Sequence, residues 1–238
     1  MQGQAAAVSA QDFAGLRRTA IDCQIRPFGV TDQHILGAFL AVPREKFVPA
    51  RFEAVAYSDM ELSHPLAGVQ DGRGARAMQM PLVLARLLQA ADIGRADRVL
   101  DVAGAAGYTA AIVAGLAASV VALESDEALS QAAARNFEAL GLANAQAVCG
   151  PLVEGCAAKG PFDVIVVGGA VEQGLDNLLA QLAPGGRLVA LRPLKPRAAG
   201  SARAFLYLKD GANISERALF EAAGAPIAEF AAAPAFAF

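Results

Sequence analysis

Residues 98–110 read Arg-Val-Leu-Asp-Val-Ala-Gly-Ala-Ala-Gly-Tyr-Thr-Ala (RVLDVAGAAGYTA), and the fold turns on how they are parsed. Arg98–Asp101 is a short apolar run, Ala103-Gly104-Ala105-Ala106-Gly107 is a run of small residues, and a helical pattern begins at Gly107 and continues to Leu116. A buried strand feeding a small-residue turn and then a helix is the opening unit of a parallel α/β sheet. Small side chains let the backbone lie against a ligand, and the helix start offers it unpaired N–H groups. Taken alone, the same turn is explained as well by close helix–strand packing.

The unit repeats. Ser119–Leu123 is a second strand ending at Glu124; Asp126 caps a helix running to about Leu140, with Gly141 as its stop. Ala145–Cys149 is a third strand and Phe162–Val167 a fourth, apolar on both faces. Leu175–Leu182 reads as a helix closed by Pro184-Gly185-Gly186, and Arg187–Leu191 as a fifth strand. Ala204–Lys209 and Asn213–Leu219 flank Asp210-Gly211, a hairpin signal, so an antiparallel pair should finish the sheet. The beginning of the chain differs. Helices are expected from Asp12 to Gln24, from Thr31-Asp32 to before Pro43, and from Pro81 to about Ala90. Between Asp59 and Met80 lies an aperiodic stretch rich in Gly, Ser and Pro, long enough to be functional. The chain thus divides into a helical, loop-bearing segment, residues 1–97, packed on an α/β core, residues 98–238.

Composition narrows the function. The 238 residues are 55% apolar and 18% charged with a formal net charge of -3, which favours a sizeable core and gives no electrostatic footprint for nucleic acid. The longest apolar stretch, Ala110 to Leu123, is interrupted by Gly115 and Ser119 and falls short of the roughly 18 residues a membrane span needs. The N-terminus lacks the basic start and apolar centre of a secretory signal. A cytoplasmic protein without membrane contact is expected. Cys23, Cys149 and Cys156 form no CxxC pair and His34 and His64 stand apart, so no metal site is expected. The thiols should be free, Cys149 as a small buried packing residue. Nothing in the sequence fixes an oligomeric state.

In an open α/β sheet the ligand sits outside the carboxyl ends of the strands. Glu124 ends the second strand 23 positions after Asp101, close to the spacing of about 20 at which an acid reaches ribose hydroxyls. Two carboxylates at adjacent strand ends suit a ribose and an ammonium group better than a pyrophosphate. They point to S-adenosylmethionine before a nicotinamide dinucleotide.

At these residues the sequence resembles a known family. QIRPFGVTDQHILGAFLAVPREKFVPARFEAVAYSDMEL, residues 24–62, is similar to the N-terminal region of protein-L-isoaspartate O-methyltransferases, with VTD, AVPREKFVP and the following AY as its recognisable pieces. RVLDVAGAAGYTAAIVAGL resembles the family's glycine-rich cofactor loop, VVALESDEAL its ribose-binding strand, and GPFDVIVVGGA with LAPGGRLVAL its fourth and fifth strands. The resemblance implies a Rossmann-like, doubly wound, mostly parallel seven-stranded sheet with the antiparallel C-terminal hairpin. It also implies S-adenosylmethionine as cofactor and, as partner, a protein or peptide bearing the free carboxylate of an isoaspartyl residue. That carboxylate is already ionised at neutral pH, so positioning and water exclusion, rather than a strong base, are what such an enzyme must supply.

Carried over residue by residue, the resemblance assigns cofactor contacts to Asp101, Ala103, Gly104, Ala105, Gly107, Tyr108, Glu124, Gly150, Pro151 and Leu152. Departures cluster there. The family has glycines where Ala103 and Ala105 stand, so the turn should survive only if both adopt ordinary dihedrals. Its Gly-Asp-Gly after the third strand, whose Asp holds the adenine amino group, is here Gly150-Pro151-Leu152, leaving adenine to backbone and apolar contacts. Its substrate segment, roughly Gln-Thr-Ile-Ser-Gln-Pro, is here Arg76-Ala77-Met78-Gln79-Met80-Pro81. Gln79 takes the place of the catalytic serine, Met78 and Met80 line the acceptor side, and Arg76, with Arg73, could pair with a substrate carboxylate. Glu172 is placed to touch cofactor or substrate. Phe220, Phe230, Phe236 and Phe238 should cover an open face of the sheet. A second reading stays open at this stage, a family-derived protein without isoaspartyl activity that methylates another acceptor or is a non-catalytic domain binding the cofactor or a partner.

Overall fold

The computed structural model describes residues 12–65, 76–195 and 200–232; Arg73, Phe236 and Phe238 lie outside them. Helix α1 (Phe13–Ala20) starts where the Asp12 carboxylate accepts from the Gly15 N–H. It runs into a wider turn, Ile21–Ile25. Helix α2 (Gln33–Ala41) is capped by Asp32, whose carboxylate accepts from the N–H groups of His34 and Ile35. Two three-residue strands, β1 (Leu62–His64) and β2 (Arg76–Met78), pair antiparallel, Leu62 opposite Met78. Helix α3 (Pro81–Ala91) begins on Pro81, whose missing N–H costs nothing in a first turn.

The core alternates as expected: β3 (Arg98–Val102), α4 (Tyr108–Ala114), β4 (Ser119–Glu124), α5 (Glu127–Ala139), β5 (Ala145–Cys149), β6 (Phe162–Ala170), α6 (Asp176–Ala180) and β7 (Leu182–Pro193). Strands β8 (Gly200–Asp210) and β9 (Asn213–Gly224) form the closing hairpin. The seven strands lie in the order β5-β4-β3-β6-β7-β8-β9, parallel from β5 to β7 and antiparallel across β7–β8 and β8–β9. This is the doubly wound, Rossmann-like α/β architecture, with its direction change between β3 and β6. The interior strands are buried along nearly their whole length, which is why they read as unbroken apolar runs. One cluster on one face joins Ile25, Phe39 and Leu84 of the N-terminal segment to Val99, Ile112 and Val164 of the core.

Two expectations are corrected. Cys149 is exposed, because β5 is the edge of the sheet and turns rather than a helix follow it. The segment Pro184-Gly185-Gly186 closes no helix: it lies inside β7, and the helix before it shortens to α6. Among the described residues no helix is long and apolar enough to cross a membrane.

Candidate active site

The turn after β3 keeps its shape with alanine in place of glycine. Ala103 and Ala105 have φ of 63° and 55°, and Gly107 has φ of 90°, so the expectation of ordinary dihedrals fails. The left-handed conformation costs an L-residue about 1–2 kcal/mol. Two gains offset it: alanine loses about 0.4–1 kcal/mol less chain entropy than glycine on folding, and a buried methyl contributes about 0.8 kcal/mol. Both methyls are buried, at 0% and 3% exposure, so the terms nearly cancel. The Ala103 N–H donates to the Leu123 carbonyl at 2.9 Å, tying the turn to β4.

Inside this turn sits Asp101, 0% exposed, and neither carboxylate oxygen has a hydrogen-bond partner. Burial first, and the nearby Glu124 charge second, push its carboxyl up to about 8. The Ala110 N–H, which makes no hydrogen bond of ordinary geometry with it, opposes the shift. Gly104 is what admits the carboxyl: a methyl there would lie 2.2 Å from Asp101 Oδ2. Replacing Gly104 by Ala is therefore expected to cost about 1–3 kcal/mol by overpacking. In an Asp101→Ala background the same change should cost less than half as much. Urea unfolding of the four proteins checks this, and equal costs in both backgrounds would mean that the carboxyl does not fill the cradle.

Glu124, at the end of β4, is 2% exposed and fully engaged. Its Oε1 accepts from Arg76 Nε at 3.1 Å, Arg76 Nη2 at 2.9 Å and the Ser125 N–H at 2.8 Å, and its Oε2 accepts from Arg76 Nε at 3.0 Å. Arg76, which the sequence places toward a substrate carboxylate, is turned inward with its side chain 3% exposed. Its Nη2 also donates to Glu229 Oε1 at 2.9 Å and to Ser125 Oγ at 3.1 Å. Glu229 and Ser125 were not singled out in the sequence. The available signal for the first was slight: Glu229 is the only charged residue after Glu221.

Gln79 follows β2, and its side-chain Nε2 and Oε1 are buried without partners. Its backbone is fixed from the other side, where its carbonyl accepts from Arg44 Nη2 at 2.9 Å. Arg44 is 1% exposed, donates through Nε to the Ala56 carbonyl at 2.8 Å, and lies 4.9 Å from the ring centre of Tyr108. Tyr108 is itself buried, edge-on to Phe39 and Phe47 at 6.3 and 5.5 Å, so it joins the turn to the Gln79 segment as packing. Met78 is buried, while Met80 is half-buried against the main cluster. Gly150 donates from its N–H to the Glu124 carbonyl at 3.0 Å, Pro151 is exposed, and Leu152 is 1% exposed beneath it. Glu172 lies after β6 and accepts through Oε2 from the Ala232 N–H at 2.7 Å.

The site therefore gathers Asp101, Glu124, Gly150 and the turn at the carboxyl ends of adjacent strands, with the Gln79 segment beside them. The family model of protein-L-isoaspartate(D-aspartate) O-methyltransferase matches residues 17–223. This chain belongs to that family. A protein-L-isoaspartate O-methyltransferase of Koribacter versatilis is 40% identical over 177 residues, 74% of this chain and 76% of the relative. One of Methanoculleus marisnigri is 35% identical over 181 residues, 76% and 78% of the two chains. Among solved structures, a protein-L-isoaspartate O-methyltransferase superposes with a TM-score of 0.76 at 27% identity, covering 90% of this chain and 67% of its own. The fold is shared as well with a Plasmodium falciparum protein solved with S-adenosyl-L-homocysteine, at a TM-score of 0.70 and 18% identity over 92% of this chain and all of the other. As a family member, the chain has its tail, from Gly224 on, outside the matched region.

Proposed function

We propose that this isoaspartyl methyltransferase family member is an S-adenosylmethionine-dependent O-methyltransferase that esterifies the carboxylate of isoaspartyl residues in proteins or peptides. One observation carries the reading: a fully buried, unpartnered Asp101 carboxyl in the cradle that Gly104 opens inside a left-handed small-residue turn. A fold does not keep an orphan buried acid for packing alone. The site's residues fit the cofactor at its methionine end, where Asp101 would take the ammonium and residues 103–107 would run beneath it. At the ribose end Glu124 is the matching acid, once its present partner leaves. Around adenine, Gly150, Pro151 and Leu152 offer backbone and apolar surface and no acidic side chain. When bound, the cofactor supplies an electrophilic methyl group.

The chain's own work is placement. The acceptor carboxylate needs no proton removed. Gln79, with an amide free to donate and a backbone pinned by Arg44, would hold one carboxylate oxygen, and Met78 and Met80 would keep water away. We assign acceptor binding to the N-terminal segment, residues 1–97, and place the activity in the cytoplasm, where the free thiols Cys23, Cys149 and Cys156 are stable.

The test is transfer of a radiolabelled methyl group to an isoaspartyl peptide, with the aspartyl peptide as control. The wild type should form base-labile ester on the first only, and slowly, because the long Gln79 side chain displaces the acceptor. Gln79→Ser should raise kcat/KM at least tenfold, within the roughly 100-fold that small misplacements cost. No ester from either protein would overturn the assignment. Equal rates would remove Gln79 from the acceptor site.

A further inference from the structure

The acid expected to bind ribose is occupied by the protein itself. Arg76 Nε and Nη2 reach both oxygens of Glu124, and Oε1 is further crowded by the Ser125 N–H and, more distantly, by Ser125 Oγ and the Asp126 N–H. A carboxylate accepts both hydroxyls of a vicinal diol through its two oxygens. With Arg76 in place, only Oε2 has room for a further donor. Arg76 is held there by a second acid from a distant part of the chain. Glu229 Oε1 takes Arg76 Nη2 at 2.9 Å and Ser125 Oγ at 2.6 Å, so the guanidinium sits between two carboxylates.

Glu229 belongs to the tail beyond residue 223, outside the stretch that matches the family. The tail is built to stay. Ala170, the last residue of β6, donates its N–H to the Ala225 carbonyl at 2.8 Å and accepts from the Ile227 N–H at 2.9 Å. Phe230 is 1% exposed in the second apolar cluster, and its carbonyl accepts from the N–H groups of Glu172 and Gln173 at 3.2 and 3.1 Å. The tail thus crosses the carboxyl end of the sheet beside the direction change, where a ligand of this fold lies.

We infer that Arg76, held by Glu229, limits the cofactor affinity of this protein by competing with the ribose diol for Glu124, so that the cofactor gains its ribose contact only when Arg76 swings away. The inference rests on the cofactor reading above and adds a determinant that the family-matched region alone does not contain. Arg76 acts here as a specificity residue: removing its charge should strengthen binding through the ribose.

The experiment is calorimetric titration of S-adenosylhomocysteine, and of its 2′,3′-dideoxy analogue, into wild type, Arg76→Gln and Glu229→Gln. Wild type should bind the two ligands within about threefold of each other, since Glu124 is taken (a threefold ratio is under a kcal/mol). Arg76→Gln should bind S-adenosylhomocysteine at least tenfold more tightly than wild type and leave the dideoxy analogue unchanged. A general loosening of the structure would move both ligands together. Glu229→Gln, which keeps the Arg76–Glu124 pair and serves if Arg76→Gln does not fold, should show a smaller gain with the same ligand preference. If wild type binds and neither variant binds more tightly, the inference is overturned while the cofactor reading stands. If none of the three binds at millimolar ligand, both fall.

Discussion

An Asp101→Asn variant is expected to be more stable than the wild type at pH 9, and the two should converge as the pH falls toward 4. The native carboxyl holds its proton up to about pH 8 because it is buried and faces the Glu124 charge. In the unfolded chain it loses that proton near pH 4. Between those values the native state binds more protons than the unfolded state, so the wild type loses stability as the pH rises, and the loss is complete above the native value. Asn has the shape of the protonated acid and cannot ionise. The difference should therefore open across this window and then stay constant. At about 1.4 kcal/mol per pKa unit the shift would set a ceiling near 6 kcal/mol, and partial relaxation around the charge brings the expected gain to about 2–4 kcal/mol. Urea midpoints at pH 5, 7 and 9 measure it. Parallel curves for the two proteins would show that Asp101 is solvated or paired in solution. The same variant should bind the cofactor less well, since the ammonium loses its anion: an acid that destabilises the empty fold is kept for what it binds.

That Asp101 would be interesting was legible, because it ends an apolar strand and precedes a small-residue turn. Its state was not, since nothing in the local pattern says whether a partner comes from elsewhere. The sheet was legible for a related reason: strands covered on both faces must be apolar throughout, and β3, β4 and β6 carry that mark in the sequence. Cys149 shows the limit of the same signal. An apolar run at the edge of a sheet looks like one at its centre until the neighbours are known, and β5 has a neighbour on one side only. The pair β1–β2 escaped notice because three-residue strands contain too few alternations to register. At Ala103 and Ala105 dihedral strain alone does not decide the conformation. Burial and chain entropy act at the same position with similar size. Arg76 was the least legible residue of the site. A loop arginine is usually solvated, and its partners lie 48 and 153 positions away, one of them in an alanine-rich tail without periodicity.

The removal of Glu124 should be felt first in the fold. Glu124→Ala leaves the Arg76 guanidinium buried, with only the half-buried Glu229 and Ser125 to hold it. Breaking a buried ion pair from one side costs about 3–5 kcal/mol, most of it the desolvation of the charge left behind. Glu229 softens that penalty, so the lower end, about 3 kcal/mol, is expected here. Arg76→Met leaves the opposite charge stranded, with the Ser125 N–H as its near donor, and should cost a similar amount. The double variant Glu124→Ala, Arg76→Met buries no charge at this point. It should recover most of the loss, because a buried pair contributes little beyond what apolar side chains of similar volume supply. Urea unfolding of the four proteins gives the coupling energy, expected to exceed about 2 kcal/mol for groups in direct contact. Additive losses would mean that the two side chains do not meet in solution. Recovery of stability without recovery of S-adenosylhomocysteine binding would separate the two uses of Glu124: Arg76 can be replaced as its partner in the fold, whereas a ribose diol has no other buried acid at that strand end to bind.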